Sequence, residues 1–142
     1  VARHLLGPAR DGPDMDARET VRAYYDALRA GEPLGPFFAD PREGDDPAVK
    51  FGISEKRVGY EAVRDGLREQ TQTTHEWRVR SHDLRVTERE DYAWFTDSVE
   101  MSWTVVEDGT RREFDARWSG TLERREDTWQ FVSMHVSAPQ RI

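Results

Sequence analysis

The chain contains no cysteine, which excludes disulfides, thiol nucleophiles and cysteine-ligated zinc. Asparagine is also absent, and Lys50 and Lys56 are the only lysines among 21 basic residues. GC-rich coding produces such a skew, and with the acidic surplus it also fits a salt-loving source. The net charge of −7 leaves no basic stripe for a phosphate backbone, and the Arg-rich stretches alternate with Glu and Asp, so nucleic acid is not an expected partner. No apolar run approaches the ~20 residues that a membrane-spanning helix needs. The first residues lack the basic-then-apolar order of a signal peptide, so no membrane is expected as a partner and the expected location is the cytoplasm. Histidine occurs only at His4, His75, His82 and His135, with no ligand spacing, so no metal site is expected. A glycine-rich phosphate loop, a nucleophile elbow and a dinucleotide fingerprint are all missing, and no cofactor is expected.

What is present is aromatic bulk. Five Trp, four Tyr and six Phe in 142 residues supply large burial for one domain and argue against disorder. Residues 1–15 carry turn formers without periodicity and read as a flexible arm, with Met15 an alternative start. Asp16 and Glu19 form a capping-box-like start, Val21, Tyr24, Tyr25 and Leu28 follow at helical spacing, and Gly31 stops the helix. Residues 33–38 form a short apolar turn, and Val49–Ser54 reads as a strand. A second helix begins near Tyr60, with Val63 and Leu67 on its stripe.

From His75 the periodicity becomes two. Trp77, Val79, Leu84 and Val86 mark one strand with a bulge near His82 and Asp83. Tyr92–Val106, Thr110–Arg125 and Trp129–Ala138 are three more, joined by turns at Glu107-Asp108-Gly109 and at Glu126–Thr128. Helices first and an antiparallel meander afterwards is an α+β layout in which helices cover one face of a curved sheet.

The ending after Arg117 has the form W-x-x-x-x-x-H-x-S-x-P, from Trp129 through His135 and Ser137 to Pro139. Upstream, Asp46–Gly52 has the form D-x-x-V-x-x-G, and Gly59–Val63 the form G-x-E-A-hydrophobic. In this order and spacing, residues 16–139 resemble SnoaL-like proteins of the nuclear-transport-factor-2-like superfamily, with 140–142 as a tail. The resemblance implies a cone, in which a curved antiparallel sheet wraps around the N-terminal helices and leaves a pocket at its open end. It also implies a homodimer through the outer sheet face. Trp94 and Phe131 on the outward faces fit such an interface.

Parity on the second long strand sets Ala93, Phe95, Asp97, Val99, Met101 and Trp103 on one face. Asp97 is the one acid there. Desolvation raises the pKa of such a carboxyl toward the range of a general base, the duty that pocket acids often have in this superfamily. The alternative is an Asp that pairs with an Arg or caps a backbone group. Tyr25, or Tyr24 beside it, is a candidate donor to a developing oxyanion, although packing alone accounts for both. His135 is a further candidate partner, but the cleaner apolar face of its strand is Val132, Met134 and Val136, which turns His135 outward. Tyr24, Phe95, Trp103, Trp118 and Met134 are the candidate pocket residues for a small apolar or aromatic molecule. Arg117 points outward, and Gly120 stands where related proteins, including the association domain of calmodulin-dependent kinase, carry an anion-binding Arg. Two functions are open: a cofactor-independent isomerase, cyclase, dehydratase or hydrolase with Asp97 as base, or a binding or dimerisation module without chemistry.

Overall fold

In a computed structural model, which describes residues 15–142, helix α1 spans Ala17–Ala30. Its start is the reciprocal cap expected from Asp16 and Glu19: the Glu19 amide donates to Asp16 Oδ1 at 2.7 Å and the Asp16 amide to Glu19 Oε1 at 3.1 Å. Gly31 ends it with φ of 71°, a left-handed conformation that glycine adopts without a side-chain clash. Val21, Tyr24, Tyr25 and Leu28 are buried on the stripe. A short 3-10 turn follows at Gly35–Phe37, then strands β1 (Val49–Phe51) and β2 (Lys56–Val58), and helix α2 at Tyr60–Thr73. The rest is β3 (Thr74–Ser81), β4 (Arg85–Glu88), β5 (Tyr92–Val105), β6 (Arg111–Arg125) and β7 (Thr128–Ser137). The expected arm lies outside the described residues, apart from Met15.

The seven strands form one curved, unclosed sheet in the order β2-β1-β7-β6-β5-β3, with β4 also on β5. It is mixed, because β1 runs parallel to β7 while every other pair is antiparallel. Two expected strands are divided. The one over 49–54 stops at Phe51, and Gly52 donates to the Glu55 carbonyl at 2.9 Å to close a hairpin onto β2. The one over 77–86 breaks at residues 82–84 into β3 and β4, both paired with β5.

On β5 the alternation holds: Ala93, Phe95, Asp97, Val99 and Met101 are buried, and their neighbours from Tyr92 to Glu100 are exposed. On β7 it does not. Thr121 faces Ser133 and Leu122 faces Phe131, so Val132 is an extra residue, a β-bulge. The bulge switches parity, so that Trp129 and Phe131 face inward along with Met134 and Val136. Phe131 is therefore 0% exposed, a core residue rather than an outer-face aromatic, whereas Trp94 is 42% exposed on the outer face.

Gly120 sits against this bulge. A β-carbon there would stand 2.6 Å from the Ser133 carbonyl oxygen and 2.8 Å from Phe95 Cε1, distances that backbone and packed ring cannot relieve cheaply. Gly120→Ala is expected to destabilise the fold by about 3 kcal/mol, read from urea denaturation, the upper end of overpacking costs. A loss below about 0.5 kcal/mol would show that the β6–β7 contact is looser than described.

Candidate functional site

A cavity of about 300 Å³ opens between α2, the β1–β2 hairpin and the concave face of the sheet. One wall is a ladder of aromatic rings across three strands. Trp77 stacks on Trp103 with centroids 4.7 Å apart and planes at 21°, and Trp103 on Phe114 at 5.4 Å and 25°. A bulge in β3, where Glu76 takes φ of 54°, brings both Trp77 and Thr74 to the cavity, and Trp77 Nε1 donates to Thr74 Oγ1 at 2.8 Å. Tyr24 and Trp118 also line it, in edge contact at 6.0 Å.

The β1–β2 hairpin supplies charge to the same space. Lys50 is 5% exposed, and its Nζ donates to Glu55 Oε2 at 2.8 Å. Arg57 Nε donates to the other oxygen, Oε1, at 3.0 Å. Burial pulls the Glu55 carboxyl toward protonation, but Lys50 and Arg57 outweigh it and hold Glu55 below the ordinary carboxylate range. Two glycines seat this chain: a β-carbon on Gly52 would lie 2.8 Å from Glu55 Cγ, and one on Gly66 of α2 2.8 Å from Arg57 Nε. Burial, and then the Glu55 charge, push the Tyr24 hydroxyl above the usual phenol range, so it stays protonated and able to donate. Among the described residues that hydroxyl has no hydrogen-bond partner, and buried Trp118 Nε1 has none either.

Asp97 lies elsewhere. It is 5% exposed and does not line this cavity. Its Oδ2 accepts from the Tyr25 hydroxyl at 2.9 Å and from Ser81 Oγ at 2.6 Å, and its Oδ1 from the Asp83 amide at 3.0 Å. One carboxylate thus joins α1, the end of β3 and the break before β4. Burial first, and then the Asp97 charge, push the Tyr25 hydroxyl far above the usual range, which keeps it a donor. His135 is exposed on the outer face, its ring 5.4 Å from that of Phe51. With Arg117 it borders a second, open groove whose rim Asp97 also touches. Of the expected pocket residues, Tyr24, Trp103 and Trp118 meet at the cavity, while Phe95 and Met134 are buried in the core beneath it. Tyr25 and Asp97 are brought together with each other and not with His135 by any hydrogen bond.

Residues 17–141 match the SnoaL-like domain. The chain belongs to the SnoaL-like family. The fold is shared with solved nuclear-transport-factor-2-like proteins over most of the chain. A candidate dehydratase of the NTF2-like family from Streptomyces avermitilis superposes with a TM-score of 0.75 at 17% identity, over 92% of this chain and 100% of its own. A candidate scytalone dehydratase from Novosphingobium aromaticivorans gives 0.72 at 12% identity over 99% and 89%. A ketosteroid isomerase-like protein from Erwinia carotovora atroseptica gives 0.69 at 16% over 87% and 94%. At these identities the likeness shows the fold alone. Among curated proteins, none matches the chain in sequence.

For this SnoaL-like chain, reasoning from sequence passed over Lys50, Glu55, Arg57 and Trp77. The signal for Lys50 was present, since it is one of two lysines and stands between Val49 and Phe51 in a strand. Glu55 and Arg57 could not be placed without the hairpin closure at Gly52. No helix of the described residues is long and apolar enough to cross a membrane.

The Asp97 network makes a stability prediction. Tyr25→Phe removes a charge-assisted bond and is expected to cost about 2 kcal/mol in urea denaturation. In an Asp97→Ala background the same change should cost at least about 1 kcal/mol less, because the acceptor is already gone. Equal costs in both backgrounds would mean that the two groups do not interact.

Proposed function

We propose that this protein binds a small planar molecule in the cone, flat against the Trp77–Trp103–Phe114 ladder, with an acceptor oxygen of that molecule held by Lys50 and Tyr24. The observation that carries this proposal is one cavity in which a stacked aromatic wall shares the space with a buried ammonium and an unpartnered phenol. Apolar walls with a few converging polar groups are the usual composition of small-molecule sites, and about 300 Å³ lies at the small end of their range. Aromatic faces select planar ligands, and donors that meet no acceptor in the protein gain most from a ligand that supplies one. A carbonyl held by an ammonium and a phenol is polarised, which lowers the barrier to losing a neighbouring proton or hydroxyl. The names of the candidate dehydratases and of the ketosteroid isomerase-like protein are consistent with chemistry of that kind.

Binding stands ahead of general-base catalysis by Asp97 for a geometric reason. A base must reach the proton it removes, directly or through one water. Both Asp97 oxygens already accept bonds from Tyr25, Ser81 and the Asp83 amide, outside the cavity lining. His135 is exposed on the outer face and does not line the cavity either.

Titration with neutral 2-acetonaphthone, followed by tryptophan fluorescence, tests the proposal. Saturable quenching is expected, together with at least fivefold weaker binding for Trp103→Leu at unchanged far-UV circular dichroism. Quenching that does not saturate, or that is indifferent to both Trp103→Leu and Trp77→Leu, would contradict it.

A further inference from the structure

Donors outnumber acceptors in the inner part of the cavity. An ammonium carries three N–H groups and accepts nothing, and an indole N–H only donates. Lys50 uses one of its protons on Glu55 and has no other partner among the described residues. Trp118 and Tyr24 line the same cavity, and neither the buried Trp118 Nε1 nor the Tyr24 hydroxyl has an acceptor among the described residues. Glu55 is the carboxylate bonded to Lys50, and Arg57 holds its second oxygen. Two further acids, Glu69 and Asp65, act on Arg57 at the rim: Glu69 is 3.6 Å from it with its side chain 68% exposed, where solvent screens both partners. Buried Lys50 is therefore left with Glu55 alone, shared with Arg57, and a buried cation that is incompletely answered is costly.

Glu55 is placed so that it can give way. Its side chain is 32% exposed, against 7% for Lys50, and it belongs to the hairpin turn rather than to a strand. Arg57 holds it from the solvent side, over the seat made by Gly66. If the Lys50 bond opens, Glu55 keeps its bond to Arg57.

Resting on the aromatic-cavity reading above, we propose that the ligand is an aromatic carboxylate, which binds by replacing Glu55 on Lys50. Glu55 occupies the ligand's place in the empty protein, as an internal carboxylate that is exchanged for the external one. The ring of the acid lies on the Trp77–Trp103–Phe114 ladder, and its carboxylate takes the Lys50 proton that Glu55 gives up. Lys50 is thus the residue that decides for charged over neutral aromatics, and Glu55 is the competitor that sets the affinity.

Calorimetric titration of the full chain with 2-naphthoate and with its neutral counterpart 2-naphthamide tests this. The naphthoate is expected to bind at least about tenfold more tightly, as charge-assisted bonds are the stronger kind. Lys50→Met should abolish that preference. Glu55→Gln, which removes the competitor and leaves Lys50 in place, should tighten naphthoate by about tenfold and leave naphthamide unchanged. Equal affinity of the two probes for the natural protein would overturn the carboxylate assignment while the aromatic cavity stands. A preference that survives Lys50→Met would place the anion elsewhere and overturn the role of Lys50. Weaker naphthoate binding in Glu55→Gln would overturn the exchange, since Glu55 would then be positioning Lys50. If neither probe binds, the aromatic-cavity reading fails and the carboxylate proposal falls with it.

Discussion

The concave face of this sheet is filled because β7 changes parity at Val132. A strand of strict alternation would turn either Trp129 and Phe131 or Met134 and Val136 toward solvent. The extra residue turns all four inward, and Gly120 on β6 supplies the space that the altered backbone needs. Phe131 then meets Tyr24, Phe38 and Phe95 in edge and tilted contacts at 5.4 to 5.8 Å, which joins α1 to the sheet. Tyr24 is fixed by those rings with its hydroxyl at the cavity. Curvature, helix placement and cavity floor depend on one unpaired residue and the glycine opposite it.

Two buried polar groups show how burial separates support from recognition. Asp97 and Lys50 are both 5% exposed. Asp97 has a donor for each direction it faces, from a helix, a strand end and a loop amide. Such a carboxylate is a rivet: its free energy is already committed in the empty protein, and a ligand would have to break bonds to use it. Lys50 has a single partner among the described residues, and that partner is shared with Arg57. An incompletely answered ammonium beside an aromatic wall has free energy left to give to a ligand. The same degree of burial therefore points to different duties, and partner count decides between them.

Much of this was legible in the chain. The cap at Asp16, the stop at Gly31 and the inward face of β5 follow from local chemistry and period, and the family resemblance from the order of its motifs. What was not legible has a common cause. Parity reasoning needs an unbroken strand, and β7 is broken by its bulge, so Phe131 was assigned to the wrong face. β1 has three residues, too few for alternation to declare that Lys50 points inward. Glu55 and Arg57 join it through a hairpin that reads in sequence as the tail of a strand. The period of β5 marked Asp97 as buried, and correctly so, but a period says nothing about Tyr25 arriving from a helix 72 residues away to bond it.

The account turns on Lys50 as the group that meets a ligand in the cone. A crystal structure of the protein with 2-naphthoate measures that directly. The account predicts the ring against Trp103, the carboxylate within hydrogen-bond distance of Lys50 Nζ, and Glu55 moved toward Arg57. A naphthoate bound in the outer groove beside His135 and Arg117, with the Lys50–Glu55 pair intact, would contradict it.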